Sequence, residues 1–170
     1  AKSTPFASNL VQMDNVYESE YVGDYLPLTY RKRIIQKDYE EDRLMSYDRA
    51  AGMARRVSQL DGGRNRSYCI DPAIRDFFTA LYHVRYGDAE EGDVFLDAAG
   101  TTWKAHFRVV EHETVKCGLG KLDAIKVKFT FSQVDDGEKE RSDMVTNNLV
   151  SRGDPLYFWF SDDERRLPLQ

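Results

Sequence analysis

Cysteine is scarce in this 170-residue chain: Cys69 and Cys117 are the only two. They lie far apart and in no metal-ligand or redox spacing, which excludes a cysteine-based zinc or thiol-redox centre and leaves one disulfide or two free thiols. Histidine is nearly as rare. His83, His106 and His112 show no ligand spacing of the H-E-x-x-H kind and read as solvated surface groups, so neither a metal nor a cofactor is expected. No apolar run approaches the ~18 residues of a membrane helix. Surplus positive charge is missing too. A formal net charge of -5 and a pI near 5.3 exclude a general nucleic-acid binder, which must displace counterions from phosphates. There is no nucleophile elbow and no phosphate-binding glycine loop; Gly118-Leu119-Gly120-Lys121 is too short for one and reads as a hairpin turn. Asp162, Asp163 and Glu164 are the carboxylates that paired acid–base chemistry would use. As neighbours on a turn they read as solvated, with no burial to part their pKa values, so no catalysis is expected. The adhesion-like tripeptide Arg152-Gly153-Asp154 reads as a loop before Pro155. The start, Ala1-Lys2-Ser3, carries no Met, signal peptide or lipid-attachment cysteine and reads as a processed or trimmed end.

What is present is alternation, with one exception. Over Asp71 to Tyr86 the apolar residues Ile74, Phe77, Phe78, Leu81 and Tyr82 recur at helical spacing, which predicts one amphipathic helix over about 72–86. Asp71 is placed as its N-cap, Pro72 at its first position and Gly87 at a left-handed C′ stop. The remainder reads as strand: 16–21, 29–35, 43–48, 53–60, 94–96, 103–109, 123–133, 144–150 and 156–160. Asp61-Gly62 and Asp136-Gly137 are read as hairpin turns. Trp103, Ala105, Phe107 and Val109 alternate with Lys104, His106 and Arg108, giving one dry and one wet face. Ile125, Val127, Phe129 and Phe131 do the same against Lys126 and Lys128. With 41% hydrophobic residues, the chain suffices for one core, and a single domain over 1–170 is expected. The fold class expected is mostly β: a strongly curved antiparallel sheet or open β-barrel, with the one helix packed on its concave face. Tyr17 to Leu28 and Leu156 to Leu169 share a plan, an aromatic strand, an acidic turn and then Leu-Pro-Leu.

Two candidate sites emerge. An apolar concavity would be lined by Trp103, Phe107, Phe129, Phe131 and Phe158 on the sheet and by Phe77, Phe78 and Tyr82 on the helix. It would hold a lipid or another apolar small molecule; the plainer alternative is that these rings fill the core. Arg31, Arg33 and Arg55, in a locally basic first third, are placed as a stripe for an anionic group. Its alternative is cross-strand pairing with Asp38, Glu40, Glu41 and Asp42.

The order of motifs carries a resemblance. Leu26-Pro27-Leu28 with Tyr30-Arg31-Lys32-Arg33, Tyr47-Asp48-Arg49-Ala50-Ala51-Gly52, and Asp71-Pro72 with Ala80-Leu81-Tyr82-His83-Val84-Arg85 come first. Glu91-Gly92-Asp93, Gly120-Lys121-Leu122-Asp123-Ala124 and Trp159-Phe160-Ser161-Asp162-Asp163-Glu164-Arg165-Arg166-Leu167-Pro168 come after them. In this order the chain resembles the bacterial domain-of-unknown-function family numbered 3108. The resemblance implies an exported envelope protein, periplasmic or outer-membrane-associated, all-β with one helix and no assigned activity. It also implies that strands before the first residues, and the end of the last strand, lie outside this chain. A fold-level likeness to periplasmic lipoprotein carriers suggests a lipid as ligand. The other partner expected is an envelope protein docked on sheet edges or on the basic strand surface.

Overall fold

The computed structural model describes residues 13–36, 39–60, 64–98, 100–135 and 153–169. Strands dominate, as the alternation requires. In the first half β1 (Met13–Val22), β2 (Leu26–Gln36), β3 (Tyr39–Asp48), β4 (Met53–Ser58) and β5 (Arg66–Cys69) form an antiparallel sheet in sequence order. Helix α1 (Phe77–Tyr86) comes next. Then β6 (Glu91–Asp97), β7 (Thr102–Cys117), β8 (Gly120–Gln133) and β9 (Leu156–Ser161) form a second antiparallel meander. The mostly-β expectation with one helix therefore holds, although the described strands form two sheets where one was expected. The 144–150 strand and the Asp61-Gly62 and Asp136-Gly137 turns lie outside the described residues, while β5 is a strand the alternation did not reveal.

The chain divides into two compact units, residues 1–79 and 80–170, with the boundary inside α1. In the second unit the period of two decides everything. Trp103, Ala105 and Phe107 of β7 and Val127 and Phe129 of β8 are buried, and they gather with Val94, Leu96, Phe160 and the helix residues Ala80 and Val84 into one apolar cluster. Lys104, His106, Lys126 and Lys128 project from the opposite face. A bulge between Val109 and Glu111 adds a residue to β7 and reverses the alternation beyond it. Glu111 and Glu113 therefore join Lys126 on the outer face.

The first unit has a mixed core. Tyr30, Ile34, Met45, Tyr47, Ala54 and Ile74 are buried, but so are Asn15, Lys32, Glu41 and Arg56. Glu41 lies 2.8 Å from the Arg43 guanidinium and 3.8 Å from the Lys32 ammonium, a buried cluster whose members are costly to remove singly.

The helix starts later than its sequence suggests. Asp71 does accept a hydrogen bond from Ala73 N–H (2.7 Å), and Ile74 N–H donates to its carbonyl (3.0 Å), but these close a turn. The cap is Asp76. Its Oδ1 accepts from the N–H groups of Phe78 (2.8 Å) and Thr79 (3.0 Å), satisfying donors that the first helical turn leaves open. At the other end Gly87 does not adopt the left-handed C′ conformation expected of it. Its N–H donates to the His83 carbonyl (2.9 Å), and a Cβ there would stand 2.9 Å from that oxygen. Glycine is needed for close approach and not for its φ.

Candidate functional site

Of the aromatic residues singled out, the structure brings five together in the second unit. Trp103, Phe107 and Phe129 are each less than a tenth exposed, and Phe131 and Phe158 pack against them half-buried. The Phe129 ring lies 6.1 Å from that of Phe107, 6.4 Å from Phe131 and 5.5 Å edge-on from Phe158, within the range of favourable aromatic pairs. Phe77 and Phe78 belong to the first unit, where Phe78 lies 5.3 Å from Tyr17 and 6.4 Å from Tyr30. Tyr82 departs from its expected place on the buried stripe: it is 40% exposed. Small residues explain the difference. Ala80 and Val84 take the buried positions in the apolar cluster, which turns the buried stripe of the helix away from Tyr82. Tyr82 instead neighbours Tyr86 at 6.1 Å, with the Arg85 guanidinium over both rings at 5.4 and 4.6 Å.

Arg31, Arg33 and Arg55 do share the exposed face of the first sheet. Arg31 is engaged there. It grips Asp42 through Nε (3.1 Å) and Nη2 (2.9 Å) and stands opposite Glu18; the Asp42 hydrogen bond and charge raise its pKa further. The cross-strand alternative thus describes Arg31, while Arg33 and Arg55 remain exposed beside it.

Two of the three histidines are tied to acids. His106 contacts Asp93 through Nδ1 (2.8 Å) and Glu91 through Nε2 (3.3 Å), and its hydrogen bond holds the Asp93 carboxyl below the usual range. His112 Nδ1 lies 2.9 Å from Asp162. Asp163 accepts from the Ser161 hydroxyl (2.6 Å) and from Arg165 (2.6 Å), and these bonds pull its pKa down to about 2. It is a fixed carboxylate that shapes a turn, with no proton to give at neutral pH. Of the Arg152-Gly153-Asp154 tripeptide, Arg152 lies outside the described residues.

A set of residues not singled out as site candidates organises the motif segments themselves. In the first unit the Arg49 guanidinium donates to the carbonyls of Pro27 (3.0 Å), Ile74 (3.1 Å) and Pro72. Arg75 donates to the carbonyl (2.9 Å) and carboxylate (2.8 Å) of Asp24, with burial lowering its pKa against that carboxylate's pull. Asp76, fully buried, also accepts from the hydroxyls of Ser19 (2.6 Å) and Thr79 (2.9 Å). Arg85 does the same work in the second unit, donating to the carbonyls of Arg165 (3.0 Å) and Arg166. The sequence signal was an arginine inside a turn of small residues, Asp48-Arg49-Ala50-Ala51-Gly52, and an aspartate three residues before a threonine, Asp76 to Thr79. The planar fork of arginine suits several carbonyls at once.

The Leu-Pro-Leu, Asp-Arg-Ala-Ala-Gly and Asp-Pro segments are thus joined in one unit by Arg49, and the helix motif is joined to the last motif in the other by Arg85. Among the described residues no group of histidine, cysteine and acidic side chains is arranged to hold a metal ion, and no helix is long and apolar enough to cross a membrane. No curated protein and no solved structure matches the chain. The family model described as "Protein of unknown function (DUF3108)" matches residues 1–170, and the chain belongs to that family.

Proposed function

We propose that the protein is a non-catalytic component of the bacterial cell envelope, periplasmic or outer-membrane-associated, that acts in binding or assembly by docking a protein partner on its sheet surfaces and edges. The observation that carries this reading is the packing of the second unit. An acyl-chain chamber leaves its lining accessible, whereas Trp103 is 8%, Phe107 4% and Phe129 4% exposed. That low exposure supports reading these rings as core packing over reading them as a ligand lining.

A lipid-holding role is the second reading, favoured by the half-buried Phe131 and Phe158 at the rim of the cluster. Strong curvature of each sheet, of the open-barrel kind, belongs to either reading and is supported by the bulges at Glu20/Tyr21 and Val109/Glu111. The test is native mass spectrometry of protein purified from a bacterial periplasm, with solvent extraction afterwards. A clean mass that stays clean when phospholipid is offered is the expected result. A co-purifying lipid, lost on Trp103→Ala in protein that remains folded, overturns the packed-core reading in favour of carriage.

A further inference from the structure

The wet face of the second sheet pairs most of its cations with acids. Lys104 lies 3.6 Å from Asp93, and His106 meets both Asp93 and Glu91. Lys126 lies 3.3 Å from Glu111 and 3.7 Å from Glu113, with its ammonium over the rings of Tyr157 (5.5 Å) and Trp159 (5.0 Å). Two cations of the same face stand apart. Arg108 of β7 and Lys128 of β8 are direct cross-strand partners, and among the described residues no carboxylate lies within ion-pair distance of either. Glu91 is the neighbour of Arg108 on its other side, yet its carboxylate turns to His106 (3.3 Å).

Like charges directly opposite destabilise a sheet, since their side chains leave the backbone only about 5 Å apart. A carboxylate at either position would pair with the remaining cation and remove that cost. The pair therefore runs against stability. What it suits is a ligand with two negative charges: the arginine fork offers two parallel donors and the lysine a compact charge, and a phosphate has oxygens for both. Tyr157, opposite Lys128 on β9 and 40% exposed, sets an aromatic ring beside them.

We propose that Arg108, Lys128 and Tyr157 form a binding site for a phosphomonoester, with the phosphate between the two cations and its organic group against the tyrosine ring. Such a phosphate carries about −1.5 to −2 charge at neutral pH, which balances the two cations. Lys104, His106 and Lys126 are neutralised by their own acids, so the unbalanced charge is confined to this row. The site is on the wet face, away from the aromatic cluster, and does not depend on whether that cluster admits a ligand.

NMR titration of the full chain with phenyl phosphate at neutral pH tests it. Saturable shifts centred on the Arg108, Lys128 and Tyr157 amides are expected, with a dissociation constant of about 1 mM. Benzoate, with the same ring and a single charge, should bind about threefold more weakly or worse. Lys128→Glu gives Arg108 a carboxylate in place of the ligand; it should weaken phenyl phosphate about tenfold or more while the urea midpoint stays at or above the parent's. Arg108→Gln, which adds no charge, should show a similar loss. Flotation with phosphatidylcholine vesicles that contain or lack phosphatidic acid separates two sources of the ester. Flotation only with phosphatidic acid, lost in Lys128→Glu, makes it a lipid headgroup; shifts with phenyl phosphate and no flotation make it a soluble ester. The absence of both saturable shifts and flotation overturns the proposal, as does binding that both variants leave unchanged, or benzoate binding as tightly as phenyl phosphate.

Discussion

Replacing Phe129 by alanine probes the packed core where its consequences are largest. The side chain is 4% exposed and meets the rings of Phe107, Phe131 and Phe158, so truncation loses its transfer free energy and leaves a cavity that three large neighbours close only in part. A buried phenylalanine so truncated costs about 3–5 kcal/mol. The aromatic pairs, at about 0.5–1.5 kcal/mol each and not additive, place the expected loss in the upper half of that range. Urea unfolding monitored by tryptophan fluorescence reads it well. Both tryptophans, Trp103 and Trp159, lie in the second unit. With a slope of about 2 kcal/mol per molar, the midpoint should fall by roughly 2 M with the slope unchanged. A fall of less than about 0.5 M, or roughly 1 kcal/mol, refutes the reasoning, because it means the ring borders space that is already open.

Asp76→Ala should cost about 2–4 kcal/mol, combining the lost cap with the stranded hydroxyls of Ser19 and Thr79; faster exchange at the Phe78 and Thr79 amides with a lower unfolding midpoint is the check. Gly87→Ala drives a Cβ to 2.9 Å from the His83 carbonyl and should destabilise by about 1–3 kcal/mol, read as a lower melting temperature; an unchanged value would contradict the close approach. The Asp163 carboxyl titrates at about 2 in the folded chain, below its unfolded range. Its contribution is therefore complete above pH ~4 and is lost as pH falls toward the folded value. Asp93, lowered by His106, has the same sign, and carboxyl carbon NMR titration of the parent and Asp163→Asn chains measures both.

The second sheet was legible because one of its faces is wet. Along β7 and β8 a charged or polar residue comes after nearly every core residue, so the period of two assigns both faces without a structure. The first sheet hid its arrangement. Lys32, Glu41 and Arg56 are buried among Tyr30, Ile34 and Met45, and charged residues carry no sequence mark that separates a compensated interior position from a solvated one. The late start of α1 was illegible for a related reason: Asp71-Pro72 offers all the local chemistry of a cap, and tertiary contacts from Ser19 to Asp76 choose the other aspartate. Tyr82 was misplaced because large rings outweigh alanine in any reading of apolar periodicity. The guanidinium hold of Arg49, Arg75 and Arg85 on distant carbonyls joins residues far apart in the chain, and a reading confined to neighbouring positions does not see it.

The packed interior of the second unit is tested most directly by asking whether an acyl chain reaches Trp103. In Trp159→Phe only Trp103 emits, and a fatty acid brominated at mid-chain quenches on contact. Emission unchanged as the fatty acid is raised past the protein concentration is the result expected of a filled core. Saturable quenching in the folded chain would place the acyl chain among Trp103, Phe107 and Phe129 and contradict the account.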